Sequence, residues 1–131
     1  MKNRIEIKIM LGLLIAVIIF HLCIIIKIIP YEITWGGRLQ NDSEMYIFEI
    51  ISIMINLFLG FVLLMNAGYI KPYFKQSLIN IILWIFFILF VLNTIGNILA
   101  KTNFEKSFAA LTLVFSILIW IILKNKRNKT V

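Results

Sequence analysis

Four long apolar runs separated by short charged stretches dominate the chain. Positions 9–26 are uncharged between Lys8 and Lys27, 50–70 between Glu49 and Lys71, 76–100 between Lys75 and Lys101, and 107–123 between Lys106 and Lys124. A hydrocarbon core about 30 Å thick needs roughly 20 residues of apolar helix to cross it. The pattern therefore predicts four transmembrane helices, over about 9–29, 45–70, 76–100 and 106–123. The last is short, and its flanking lysines lengthen it by reaching their ammonium groups to the interface. The expected fold class is all-α, an antiparallel four-transmembrane-helix bundle forming one domain over 1–131.

The connections carry their own signals. Pro30 cannot continue a helix without losing a hydrogen bond, and is expected to end the first span. Trp35-Gly36-Gly37-Arg38 reads as a turn, because two glycines allow backbone angles closed to other residues. Asp42 or Ser43 is expected to cap the second span, with Glu44 in its first turn where the helix dipole favours an anion. Gly68 can close that span and Pro72 blocks its continuation. The link around 101–106 is so short that spans three and four must be antiparallel neighbours.

Composition removes the alternatives to a membrane protein. The hydrophobic fraction of the 131 residues is 62%, against roughly 45–50% in soluble domains. Charged residues make up 15%, against about 25%, and the mean hydropathy is +1.01. So few charges cannot cover a soluble globule of this size, and disorder needs the opposite composition. A single cysteine, Cys23, excludes a disulfide scaffold and reads as a small hydrophobe. The first run follows Lys2, Arg4 and Lys8 as a secretion signal would. It is too long for a signal's apolar region, and no small-residue cleavage site follows. Phe20-His21-Leu22 before Cys23 also lacks a lipoprotein site's small residue. A retained helix is expected.

Charge sets the expected orientation. Lys2, Arg4, Lys8, Lys71, Lys75, Lys124, Lys126, Arg127 and Lys129 fall on one side of a four-span chain; Lys27, Arg38, Lys101 and Lys106 fall on the other. The positive-inside rule puts the richer side, with both termini, in the cytoplasm. The net charge of +7 then reads as a topology signal and an attraction to anionic headgroups, with no nucleic-acid partner expected. Tyr31, Trp35 and Tyr46 would lie at the outer interface, and Tyr69, Tyr73, Trp84 and Trp120 near the inner one.

Polar residues within the spans are where function would sit, since each needs a reason at membrane depth. Glu49, Ser52 and Asn56 share one face of span two, with Gly60 beyond. Asn93, Gly96, Asn97 and Ala100 share a face of span three, and Thr112 and Ser116, with Ala109, a face of span four. Span one supplies His21, with Lys27 near its end. Most of these fall in the outer half of the membrane, whereas the inner half is nearly all Ile, Leu, Phe and Val. The expectation is a polar cluster of His21, Arg38, Glu49, Ser52, Asn56, Asn93, Asn97 and Thr112, lidded by Trp35, Gly36 and Gly37. The alternatives are structural. Glu49 would pair with Arg38 or Lys27, His21 would pack between helices, the asparagines would bond helix to helix, and the loop would be an interfacial turn. Gly12-x-x-x-Ala16 and Gly96-x-x-x-Ala100 match small-residue helix contacts, within the bundle or between protomers.

Most catalytic chemistry finds no residues to carry it. One His and one Cys assemble no metal-ligand set, no phosphate-binding glycine loop occurs, and no serine sits in a nucleophile elbow. Acid–base catalysis by His21 and Glu49 is the one enzymatic reading. Transport is the other rival, because an intramembrane carboxylate is a natural proton or cation site. Four spans enclose too little volume for an alternating path, so a dimer would be needed. The essential acid of small multidrug transporters lies in span one, where this chain has none. The signature asparagine and phenylalanine-rich breaks of dimeric fluoride channels are not recognisable either.

The Trp35-Gly36-Gly37-Arg38 loop and the Asn93-Thr94-Ile95-Gly96-Asn97 stretch give the chain a resemblance over nearly its whole length. It resembles small bacterial four-span membrane proteins with a Trp-Gly-Gly loop and no assigned function. The resemblance implies a bacterial inner-membrane location and carries over no site. The reading that results is a non-enzymatic integral membrane protein holding a small ligand or partner helix at a polar outer half. Dimeric transport through Glu49 and intramembrane catalysis by His21 and Glu49 are the alternatives. No cofactor is expected. The lipid bilayer is the expected partner, with a lipid-like small molecule and a second copy of the chain as candidates.

Overall fold

A computed structural model of the chain describes residues 3–31, 40–100 and 103–129, with side chains for 5–31, 40–100 and 103–124. The described residues form four α-helices and no strand: α1 (Asn3–Ile25), α2 (Asp42–Ala67), α3 (Gln76–Ile98) and α4 (Asn103–Lys129). All four are long and apolar enough to cross a membrane. The chain is thus a small multi-pass membrane protein built as a four-helix bundle.

Neighbouring helices run antiparallel. Leu14 of α1 lies beside Gly60 of α2, while His21 reaches back to Glu49. Phe58 meets Phe86 across α2 and α3, and Phe90 stacks on Phe115 across α3 and α4. Contact is most extensive between α3 and α4, then between α1 and α2; α1–α4 and α2–α3 contacts are thinner. One end of the bundle carries the termini and the α2–α3 link, and is called here the terminal end. The other, the connection end, carries the α1–α2 and α3–α4 links.

Each helix turns a stripe of residues spaced alternately by three and four toward the others, as packed antiparallel helices require. On α1 the stripe is Ile7, Met10, Leu14, Val17, His21 and Ile24; on α2 it is Met45, Glu49, Ser52, Asn56, Leu59 and Leu63. Buried apolar residues form two clusters. The larger fills the terminal half and includes Ile7, Met10, Leu14, Leu63, Leu83, Phe115 and Ile119. The smaller, Ile24 and Met45 with Phe20, Ile25, Ile29 and Tyr31 around them, closes the connection end. Much of the rest is apolar surface suited to lipid, where side chains such as Ile15, Met54, Ile88 and Ile117 are exposed.

The helix ends explain where each span stops. At the end of α2, Gly68 adopts φ 82. Its N–H donates to the Met65 carbonyl at 3.1 Å, and Tyr69 N–H donates to Leu64 at 3.0 Å. This is the paired bonding of a left-handed helix stop. The end of α1 uses the same bonds, with Lys27 N–H donating to Ile24 at 3.0 Å and Ile28 N–H to Cys23 at 2.9 Å. Here the left-handed residue is Lys27, at φ 66. The expectation that Pro30 ends the first span is therefore corrected: α1 has already stopped at Ile25, and Pro30 lies beyond the turn. The cap of α2 is Asn41 rather than Asp42 or Ser43. Its side chain accepts from Glu44 N–H at 2.9 Å, while the Glu44 carboxylate accepts from Gln40 N–H at 2.8 Å. Asp42 then occupies the first helical turn, where the dipole favours its charge.

Candidate functional site

A polar layer lies between the two apolar clusters. Its centre is Glu49, at 0% exposure. His21 Nδ1 and Glu49 Oε1 are hydrogen-bonded at 2.8 Å, with the imidazole side chain 14% exposed. With Glu49 ionised the carboxylate can only accept, and Nδ1 is then the donor. The arrangement follows from the stripes: His21 is the fifth inward position of α1 and Glu49 the second of α2, which antiparallel packing brings level. Phe20 sets the imidazole's surroundings. It lies edge-on to His21 with ring centres 5.7 Å apart, and packs against Phe108 of α4 at 4.9 Å. The dyad thus has an aromatic wall on the α4 side.

The remaining polar groups of the layer are mostly bonded within their own helices. Ser52 Oγ donates to the Phe48 carbonyl at 2.8 Å, and Asn56 Nδ2 donates to the Ser52 carbonyl at 2.8 Å. Both sit half-buried on the inward stripe of α2. On α3 and α4, Thr94 Oγ1 and Thr112 Oγ1 are 2.8 Å apart. The two hydroxyl protons have more contacts than they can serve at once, so when one hydroxyl donates across the helices the other donates to the carbonyl of its own helix, Phe90 or Phe108. Ser116 is buried and donates to Leu113.

The predicted site residues therefore fall into distinct places. His21 and Glu49 are joined, Ser52 and Asn56 continue their stripe, Thr112 is bonded across to α3, and Asn97 is half-buried. Asn93 is exposed on the outer surface of α3. Trp35, Gly36, Gly37 and Arg38 lie outside the described residues. Two residues not singled out from sequence belong to the layer. Thr94 is 8% exposed and Glu105 6%. The signal for Glu105 was its spacing, since 105, 109, 112 and 116 repeat the same four-three alternation; its place beside Lys106 made it look like a loop residue. The signal for Thr94 was the Phe90, Thr94, Asn97 series.

Lys27 does not pair with Glu49. Its ammonium bonds Asp42 Oδ2 at 2.5 Å, with both side chains about half exposed. The hydrogen bond and charge of Asp42 raise the Lys27 pKa above its ordinary value. Beside this pair lies a depression of about 320 Å³ lined by Lys27, Ile29, Pro30, Tyr31 and Asp42. It sits about 10 Å along the helices from the His21–Glu49 dyad, at 1.5 Å per residue.

The terminal end holds polar groups too. Gln76 Nε2 donates to Asn66 Oδ1 at 3.1 Å and to Asn80 Oδ1 at 2.9 Å, tying α2 to α3. Glu6 Oε2 is buried there with no hydrogen-bond partner among the described residues. Apart from Ser116, the described buried residues they edge are apolar.

The arrangement can hold a hydrogen-bonding group or pass a proton between an imidazole and a carboxylate. Among the described residues, no three His, Cys, Asp or Glu side chains are grouped to hold a metal ion. No protein-family model, curated protein or solved structure matches the chain.

Proposed function

We propose that this small multi-pass membrane protein holds a small, lipid-like ligand by its polar head in the connection-end half of the bundle. The His21–Glu49 dyad is the anchor, and Asn56 and Asn97 are the flanking contacts. The observation that carries the reading is Glu49, a carboxylate with no exposed surface placed inside an apolar bundle. Such a group is expensive at membrane depth and is kept where it has work to do. Ser52 and Asn56 support the reading, because they share the Glu49 stripe yet stay half-exposed. The lysine and arginine distribution supports an outward placement of this half, with both termini in the cytoplasm.

The test is mass spectrometry of molecules extracted from the purified protein, coupled to thermal unfolding. A copurifying molecule should raise the melting temperature when added back to stripped protein. Asn56→Leu or Asn97→Leu should abolish that rise. Stripped and unstripped protein melting alike would overturn the reading.

The 2.8 Å hydrogen bond between His21 and Glu49 favours a second reading, proton-coupled transport by a dimer. That reading requires Glu49→Gln to abolish proton flux in liposomes while the helix content persists.

A further inference from the structure

Asn93 is exposed on α3, and its amide makes no hydrogen bond to a described residue. Its depth makes this costly. The 23 residues of α3 span about 34 Å at 1.5 Å per residue, slightly more than the ~30 Å hydrocarbon core. Asn93 precedes the end of α3, Ile98, by about 7 Å, and so lies roughly 5 Å inside the hydrocarbon edge. The side chain cannot escape to the nearer interface. A helical Cα–Cβ bond tilts toward the helix N-terminus, which for α3 points to the membrane centre. Asparagine is also too short to reach back as lysine does. Acyl chains offer the amide no donor and no acceptor.

We infer that this face of α3 docks a second copy of the chain, with the two Asn93 amides hydrogen-bonded to each other across a two-fold axis. The amide is self-complementary in charge. Its oxygen is partially negative and its NH₂ partially positive, so each copy supplies what the other lacks. Two copies in one membrane share an orientation, and a two-fold axis along the membrane normal sets α3 parallel to α3 with both Asn93 side chains at one depth. Gly96 lies one turn away, and a Cβ built there meets nothing within 4 Å. The two backbones can therefore approach closely. Leu89 and Leu92, 44% and 57% exposed, supply the apolar flanks. The interface is independent of the His21–Glu49 dyad, so either proposal can fail alone.

The test uses the full chain in liposomes, counting subunits by single-molecule photobleaching as the protein is diluted in lipid. Asn93→Leu should raise the dimer dissociation constant about eightfold, the loss of two interhelical hydrogen bonds of ordinary membrane strength. Asn93→Gln, which keeps the amide, should stay within about twofold of the parent. In a Cys23→Ser background, Leu89→Cys should crosslink between copies far faster than Leu113→Cys, which sits exposed on α4. A parent chain that is monomeric at every dilution, covered by lipid or another protein, overturns the proposal. So does an Asn93→Leu dimer of unchanged affinity, or equal crosslinking at the two cysteines.

Discussion

The two halves of this bundle are held together differently. Around Leu14, Leu63, Leu83 and Ile119 the interior is apolar and fully buried. Lipid tails are as apolar as leucine, so no hydrophobic effect drives helices together there, and cohesion comes from close packing. Around His21, Glu49, Thr94 and Thr112 the helices are joined by directed hydrogen bonds. Close packing tolerates many apolar residues of similar volume, whereas a buried carboxylate tolerates only a partner that can donate to it. The terminal half should therefore yield gradually to substitution and the connection half abruptly.

The sharpest break should come from removing one partner of the dyad. His21→Leu leaves the Glu49 carboxylate buried without its imidazole donor, and should destabilise the bundle by about 3–5 kcal/mol. Replacing both residues with leucine should recover most of that loss. Steric or urea unfolding in micelles measures both, and a double variant as unstable as His21→Leu would erase the contrast between halves. Next in size is Leu63→Ala in the apolar half. It removes a fully buried side chain and should cost about 2–5 kcal/mol, depending on how far the site collapses. Leu63→Met, by contrast, should cost under about 1.5 kcal/mol.

Thr112→Val tests whether the second cross-helix bond resembles the first. The loss should be only ~0.6 kcal/mol, because the remaining Thr94 hydroxyl still donates to the Phe90 carbonyl. Adding Thr94→Val should cost little more, a non-additivity that a double-mutant cycle reads directly.

The smallest effect concerns the two helix ends that share one hydrogen-bond pattern. Lys27 has a raised pKa through Asp42, so its pairing stabilises the fold fully below the ordinary lysine value. That contribution is lost as pH rises through the raised value. Alkaline pH should speed hydrogen exchange at the Lys27 turn more than at the Gly68 turn, whose left-handed residue carries no charge.

The four spans were legible from hydropathy because a run of some twenty apolar residues has few other ways to exist. Gly68 was legible as a helix stop because glycine adopts the left-handed region without strain. Lys27 was not, since nothing local marks a lysine for that conformation; the stop at α1 is supported instead by Asp42, fifteen positions away. Within the polar layer, His21 and Glu49 stood out by chemistry alone. Glu105 was hidden by charged neighbours.

Hydropathy and charge thus specify how many helices cross and how their polar residues divide along the membrane normal, since both are sums along a segment that rotation of the helix leaves unchanged. Which side chain faces inward is a different quantity. Each residue turns the helix by about 100°, so Asn93 and Thr94 are neighbours in sequence and face lipid and interior respectively. Packing of all four helices at once sets those rotations, and with them the pairing of His21 with Glu49 and of Lys27 with Asp42.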